Sequence, residues 1–382
     1  MNNRAGRTVK NLSGEKAYYS FCPSPLPPVP GIEIDGEMQE LLIDAHKKLA
    51  VLDSLSSRIP DVDLFISMYV RKEALVSSQI EGTQCTLDDV LNPEIDENAN
   101  ADVSDVVNYV RAINYAVKRL EELPLCNRLI REVHKVLMNS VRGSDKTPGE
   151  FRNSQNWIGG AGSTLKNARY IPPNTLDMAE CMSDFEKYLN SDDEEDDLIK
   201  AALLHYQFET IHPFLDGNGR VGRLLITLIL IKAGLLSSPV LYLSCYLKSN
   251  RIEYYDRMSE IRKSGNYEQW VIFFLRGVAE TALDAADTID ALNKLHNENA
   301  EKLAGVPKRS EDNVMKLFEY IERNPIIETV KTAAALGLSR NGTANYISLF
   351  CEKGILKQTA KSGKSLIYSY EDYLEILRKD TF

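Results

Sequence analysis

Apolar residues along most of the chain recur every three or four positions, the spacing that lines one face of a helix. The pattern is strong in "EMQELLIDAHKKLAVLDSL" and "DLFISMYVRKEALVSSQI", which predict helices from about 36 to 81. It returns in "DVSDVVNYVRAINYAVKRLEEL" (102–123) and "CNRLIREVHKVLMNS" (126–140). In "DDLIKAALLHYQFETIHPFL", Leu198, Ile199, Ala202, Leu203, Tyr206 and Phe208 keep helical spacing. The run "LLITLILIKAGLL" (224–236) is apolar around most of its circumference and predicts a buried helix. It is too short to span a bilayer and contains Lys232. The stretch beginning "YLKSNRIEYYDRM" is helical throughout, with a turn at Ser264–Asn266.

The interruptions divide the chain. Residues 1–35 read as irregular, with "CPSPLPPVPG" (22–31) as an extended lead-in. Residues 142–173 are rich in Gly, Pro, Ser and Asn, and two short β-like pieces flank a glycine turn there. That predicts a β-hairpin or long flap, and long loops in compact domains tend to be functional. The acidic run "DDEEDD" (192–197) reads as the start of a helix rather than a metal site. After "GVPKRS" (305–310), the pattern helix, helix-turn-helix and β-wing resembles a winged helix. The expected fold class is mainly α: a helical core with a β-hairpin flap, an N-terminal helical region and a small C-terminal winged-helix domain.

With 382 residues, the chain is long enough for two or three domains, and 43% apolar content is ample for a buried core. A net charge of −10 argues against a general polyanion binder. The C-terminal unit, 308–382, carries 12 Lys+Arg against 10 Asp+Glu, a thin basic footprint for DNA. Six cysteines without a C-x-x-C pair suit a reducing, cytoplasmic setting. The N-terminus shows no apolar signal-peptide core.

The candidate chemistry lies in "HPFLDGNGRVGR", 212–223. Gly217, Gly219 and Gly222 have the G-x-G-x-x-G spacing of a dinucleotide site. That site needs a strand before the glycines and an acidic residue about 20 positions on. Here a helix precedes, and no Asp or Glu follows Arg223 until Glu253, so the Rossmann reading fails. Another phosphate chemistry remains. His212 precedes Pro213 at a helix exit and can serve as a base. Phe214 anchors the loop to the core. Asp216 is placed to hold a divalent ion. Gly217 and Gly219 let backbone N–H groups approach an anion at a helix N-terminus. Asn218, Arg220 and Arg223 add side-chain donors, and the planar guanidinium fork suits phosphate oxygens. The other histidines, His46, His134, His205 and His296, are isolated and read as structural or surface residues.

This stretch matches, at every defined position, the signature H-x-F-x-[DE]-G-N-G-R-x-x-R of Fic proteins. The Pro-rich lead-in, "EALVSSQIEGT", the flap and the C-terminal unit extend the resemblance over nearly the whole chain. Fic enzymes move AMP from ATP to a Tyr, Thr or Ser hydroxyl of a protein. The resemblance implies that His212 takes the proton from that hydroxyl and that Asp216 holds Mg²⁺. Asn218 and the amides from Gly217 through Gly219, Arg220 and Val221 to Gly222 would cradle phosphates. Arg220 and Arg223 would bind the β- and γ-phosphates, and the flap would hold the target segment as an added strand. Tyr255, in the pair Tyr254–Tyr255, resembles the family's adenine-side element.

A second motif is "SSQIEG", where Glu81 lies near the end of a helix that Gly82 is expected to cap. It is similar to the inhibitory pattern [ST]-x-x-x-E-[GN] of one class of Fic proteins, with Ser77, Glu81 and Gly82 in the defined positions. The resemblance implies that Glu81 pairs with Arg223 and restrains adenylyl transfer. Two alternatives stay open: a hydrolase that removes AMP with the same site, and a nucleotide-sensing regulator that binds DNA through the winged helix. A homodimer is left open, as are the target protein and its hydroxyl. The implied domains are 1–120 with the inhibitory helix, the catalytic core 121–285, a linker helix 286–309 and the winged helix 310–382.

Overall fold

The computed structural model describes residues 2–56, 62–92, 101–139, 145–160, 162–192, 194–362, 365–379 and 381. The chain forms two compact units. One comprises residues 1–53 and 108–283, the other residues 54–107 and 284–382.

The first unit begins with a three-stranded antiparallel sheet, β1 (Asn2–Asn3), β2 (Gly6–Asn11) and β3 (Tyr18–Pro23), in that order. The sequence suggested an irregular segment. The strands are legible only through their partners: β2 and β3 pair from Gly6–Pro23 to Asn11–Tyr18, and the Phe21 N–H donates to Ile171 O at 2.9 Å. Most of β2 is not buried, so it shows no clean apolar alternation for a sequence reading to detect.

Two helices make the centre of this unit. The first, Asp197–Ile211, is buried at every residue from Leu198 to Ile211. Its N-cap is Asp196, whose carboxylate accepts the Leu198 N–H at 2.8 Å and also meets His46 Nε2 at 2.8 Å. The acidic run therefore does the work of a helix start. The second helix, Asn218–Lys232, is buried continuously from Arg220 to Leu230, as its all-round apolar pattern requires. We call these the exit helix and the motif helix. Downstream, Arg251–Ser264 ends at Gly265 in the left-handed conformation (φ 80°), and a long helix restarts at Glu268. This is the expected turn.

Among the described residues the flap carries one antiparallel bridge, Ile158 with Tyr170, closed by N–H···O bonds of 2.8 and 3.0 Å. Residues 142–144 and 161 of the expected flap lie outside the described residues.

The second unit contains the helix Val62–Ile80, which packs against Lys308–Arg323 and the final helix Glu371–Arg378. Arg378 binds both Asp88 oxygens at 2.8 and 2.6 Å and Glu371 at 2.9 Å. These long-range ties join residues 54–107 to the C-terminal part of the chain. Beyond Lys308–Arg323 come β4 (Ile326–Glu328), helices Thr329–Leu336 and Arg340–Glu352, and the hairpin β5 (Lys357–Ser362) and β6 (Ser365–Ser369). The sheet is antiparallel in the order β4-β6-β5.

Candidate active site

The exit helix stops at His212, which takes the left-handed conformation at φ 51° and ψ 61°. Pro213 disfavours a continuing helix at the residue before it. A non-glycine residue held at positive φ costs roughly 1–2 kcal/mol, so the surroundings must impose it. Three flap residues, Arg152, Asn156 and Tyr170, supply that constraint. Arg152 is buried, and its guanidinium donates to His212 O at 3.0 Å, Pro173 O at 2.5 Å, Ser154 O at 3.3 Å and Ile211 O at 3.5 Å. Asn156 Nδ2 donates to Phe214 O at 2.9 Å, and Tyr170 O–H to Thr210 O at 2.6 Å. The Arg152 N–H donates to Pro213 O at 2.8 Å, and Gln155 Nε2 to Pro172 O at 3.0 Å. Carbonyls that the helix end would leave without intrahelical partners are thereby met by flap donors. Burial pulls the Arg152 guanidinium down to about 10, still protonated at neutral pH.

The half-buried His212 ring has Nδ1 at 3.3 Å from Glu209 O. A carbonyl only accepts, so this contact places a proton on Nδ1. Phe214 is fully buried, the anchor expected of it, and stacks on His134 with centroids 3.7 Å apart and planes 5° apart. Asp216 is exposed, and its Oδ1 accepts the Gly217 N–H at 2.7 Å. Gly217 is left-handed (φ 78°) and is the N-cap of the motif helix. A Cβ there would come within 2.8 Å of Met138 Sδ.

Asn218 is buried and bonds the backbone of Phe214 twice, accepting its N–H at 2.8 Å and donating to its carbonyl at 2.9 Å. Its side chain therefore braces the loop. Of the expected cradle amides, the Gly217 N–H is engaged by Asp216 Oδ1 at 2.7 Å and the Val221 N–H by Gly217 O at 3.0 Å. Gly219 is half-buried in the first turn. Gly222 faces the exit helix, where a Cβ built on it would meet Glu209 and Phe208. Arg220 and Arg223 are both buried. Arg220 Nη2 meets Met138 Sδ at 3.6 Å, and its Nε has no hydrogen-bond partner among the described residues. A buried guanidinium with an unmet N–H fits a phosphate oxygen. One exposed carboxylate beside such donors also fits Mg²⁺, which usually takes one or two carboxylates together with substrate phosphates.

Tyr254 and Tyr255 part company. Tyr254 is buried, and its O–H donates to His205 Nε2 at 2.9 Å. Tyr255 is half-buried, with Arg169 of the flap and Arg251 over its ring at 5.7 and 5.9 Å. Ser77 and Glu81 belong to the second unit. There Ser77 is buried and Glu81 exposed. Gly82 closes the helix Val62–Ile80 at φ 101°, with its N–H on Gln79 O at 3.0 Å and the Thr83 N–H on Ser78 O at 3.2 Å. This is the expected glycine cap in its two-bond form.

Two histidines that looked isolated in the sequence are part of this architecture. His134 Nδ1 accepts the Gly149 N–H at 2.9 Å, and its Nε2–H donates to Asp216 O at 3.0 Å. His205 Nδ1–H donates to Gly222 O at 3.0 Å. Burial pushes His134 down to about 4 and His205 down to about 3, so both are neutral. Their partners lie 82 and 17 residues away along the chain. No local pattern announces them.

The site therefore brings together a histidine at a left-handed helix exit, an exposed carboxylate, and two buried arginines in the first turns of the next helix. Residues 124–230 match the family model described as Fic/DOC family, and residues 39–118 the one described as Fic/DOC family N-terminal. Residues 39–118 and 124–230 thus carry the two domains of the Fic/DOC family. The chain is similar to "Protein adenylyltransferase Fic" of Drosophila melanogaster, 28% identical over 232 residues covering 57% of this chain and 44% of that protein. The protein of the same name from Aedes aegypti is 34% identical over 157 residues, 41% of this chain and 28% of that one. The chain thus spans less than half the length of these curated relatives. Among solved structures, a Fic family protein from Desulfovibrio desulfuricans superposes with a TM-score of 0.55 at 20% identity, covering 89% of this chain and 97% of that one. A Fic domain containing signaling protein from Bacteroides thetaiotaomicron gives 0.51 at 17% identity, over 64% of this chain and 95% of that one. At these identities the two structures speak to the fold alone.

Proposed function

We propose that this protein transfers AMP from ATP to a hydroxyl group of another protein, and that Glu81 restrains the reaction. The observation that carries the reading is the histidine at the helix exit. His212 sets Nδ1 3.3 Å from the carbonyl of Glu209, a contact that assigns the proton to Nδ1 and, in this reading, the role of base to Nε2. In the proposed reaction Nε2 takes the proton of the target hydroxyl as its oxygen attacks the α-phosphorus. The bond to the bridging oxygen breaks and pyrophosphate leaves. Arg220 and Arg223 hold the β- and γ-phosphates, and the first-turn amides of the motif helix meet phosphate oxygens. Mg²⁺ held by Asp216 would neutralise phosphate charge and favour the leaving group. The flap receives the target segment, and Tyr255 lies on the adenine side.

For Glu81 the support is its place directly after a capped helix, in a motif similar to the family's inhibitory pattern and inside the N-terminal match. Pairing of its carboxylate with Arg223 would keep the γ-phosphate from docking productively. We read residues 310–382 as a winged helix with a protein-contact or dimer role, supported by the order of its helices and its β4-β6-β5 sheet. Six thiols without disulfides fit a cytoplasmic setting. Among the described residues, no helix is long and apolar enough to cross a membrane.

The test uses α-labelled ATP and Mg²⁺ with cell lysate. Wild type should label weakly, Glu81→Gly strongly and His212→Ala not at all. Absence of label in all three would turn attention to removal of AMP, assayed on an AMP-modified protein. Equal labelling by wild type and Glu81→Gly would remove the inhibitory role.

A further inference from the structure

His134 lies outside the signature stretch, on the helix Asn127–Leu137, yet three of its contacts meet the loop or the stem of the flap. Its ring lies flat on Phe214, its Nε2–H donates to Asp216 O, and its Nδ1 accepts the Gly149 N–H. Gly149 is left-handed (φ 84°), and a Cβ there would lie 2.9 Å from Lys135 Cβ, so this backbone is pressed onto the histidine's own helix. Gly217 is fitted as closely, with His134 ring atoms 3.5 Å from a Cβ built on it.

We propose that His134 is a positioning residue: it sets the height and orientation of the Asp216–Gly217 peptide, and through it the carboxylate and first-turn amides that face the phosphates. The inference rests on the proposed adenylyl transfer for its functional consequence, while its geometric content stands on the protein alone. Asp216 itself is exposed, and its own Oδ1 bonds the next N–H. The backbone under it therefore needs an outside anchor. Met138, one turn after His134, packs beside Gly217 and under Arg220, so the same short helix also supports the guanidinium. A partner that orients a ligand-bearing group typically alters affinity or activity by about 10- to 100-fold when lost.

Three substitutions separate the contacts. His134→Phe keeps the stack on Phe214 and removes both hydrogen bonds. His134→Gln can restore the donor at the Nε2 position. His134→Asn can restore the acceptor at the Nδ1 position. Each is made in the full chain carrying Glu81→Gly. The first readout is amide hydrogen exchange across 212–220 without nucleotide; the second is calorimetric Mg·ATP binding; the third is transfer of labelled AMP to protein. His134→Phe should speed exchange in 212–220, weaken Mg·ATP binding by about 10-fold or more and lower transfer in step. His134→Gln should recover most of each, and His134→Asn little. Exchange and binding within twofold of the parent in His134→Phe would overturn the proposal. So would equal losses in Gln and Asn variants together with a fall in thermal midpoint, since that pattern marks bulk packing. A parent that binds Mg·ATP but labels nothing would sink the transferase reading and leave exchange and binding to decide on His134. A parent that binds no Mg·ATP would sink both.

Discussion

A Cβ built on Gly222 would lie 2.1 Å from Glu209 Oε1 and 3.2 Å from the Phe208 ring. The third glycine of the signature stretch therefore serves the packing of the exit helix on the motif helix, with no positive φ involved. Glu209 and Phe208 are both buried, so neither has solvent to move into. Gly222→Ala should destabilise the protein by roughly 1–3 kcal/mol, as overpacking of a tight core does. Urea denaturation measures this, and an unchanged midpoint would show that the helices can separate at little cost.

Arg152 meets the carbonyls of Ile211, His212, Ser154 and Pro173 from a buried position. Arg152→Met fills similar volume but leaves several of those oxygens unmet. Each buried carbonyl without a donor costs about 1–3 kcal/mol, so the variant should lose roughly 3 kcal/mol or more. The loss should appear first as proteolytic sensitivity between 145 and 173. A flap no more sensitive than wild type would mean that Asn156, Gln155 and Tyr170 suffice.

The conformation of His212 guides the choice of variant. Alanine at φ 51° would add backbone strain to the loss of the base. Asparagine visits the left-handed region readily, so His212→Asn separates the two effects. Its thermal midpoint should stay near that of wild type while transfer falls by about 10²- to 10⁴-fold. Retained transfer would remove His212 from the base role.

His134 and His205 give the acid limb of stability a definite sign. Their folded values, about 4 and about 3, lie below the ordinary 6.5 because burial disfavours the charged ring. The unfolded chain takes up those protons below about pH 6.5 and the folded protein does not. The contribution is thus full above about 6.5 and is lost as pH falls toward 4 and then 3. Each ring adds a slope of up to about 1.4 kcal/mol per pH unit. His296 acts in the opposite sense, because its bond to Glu322 raises it. Comparing wild type with His134→Gln between pH 6 and 4.5 isolates one ring. The variant's stability should fall less steeply, by about one proton's worth; parallel curves would mean that His134 is protonated in the folded state.

The sequence by itself determined the helices, the mainly α class and the place of the signature stretch. Helical periodicity is a local property, and a motif of twelve residues carries its spacing in covalent bonds. A proline after His212 and glycines at 82 and 217 also act within a turn or two, which is why the helix ends could be read in advance. Tertiary structure alone decided which residues hold that stretch in shape. Arg152 reaches His212 across 60 residues and His134 reaches Asp216 across 82. Neither contact leaves a period or a composition bias behind. The same holds for the N-terminal strands, whose order comes from partners rather than from alternation, and for the grouping of residues 54–107 with the C-terminal part of the chain. Even within the motif, spacing could not separate a glycine that turns the chain into the motif helix at positive φ, Gly217, from one that admits a neighbouring helix, Gly222. The backbone conformation of Gly217 and the distance from Gly222 to Glu209 do.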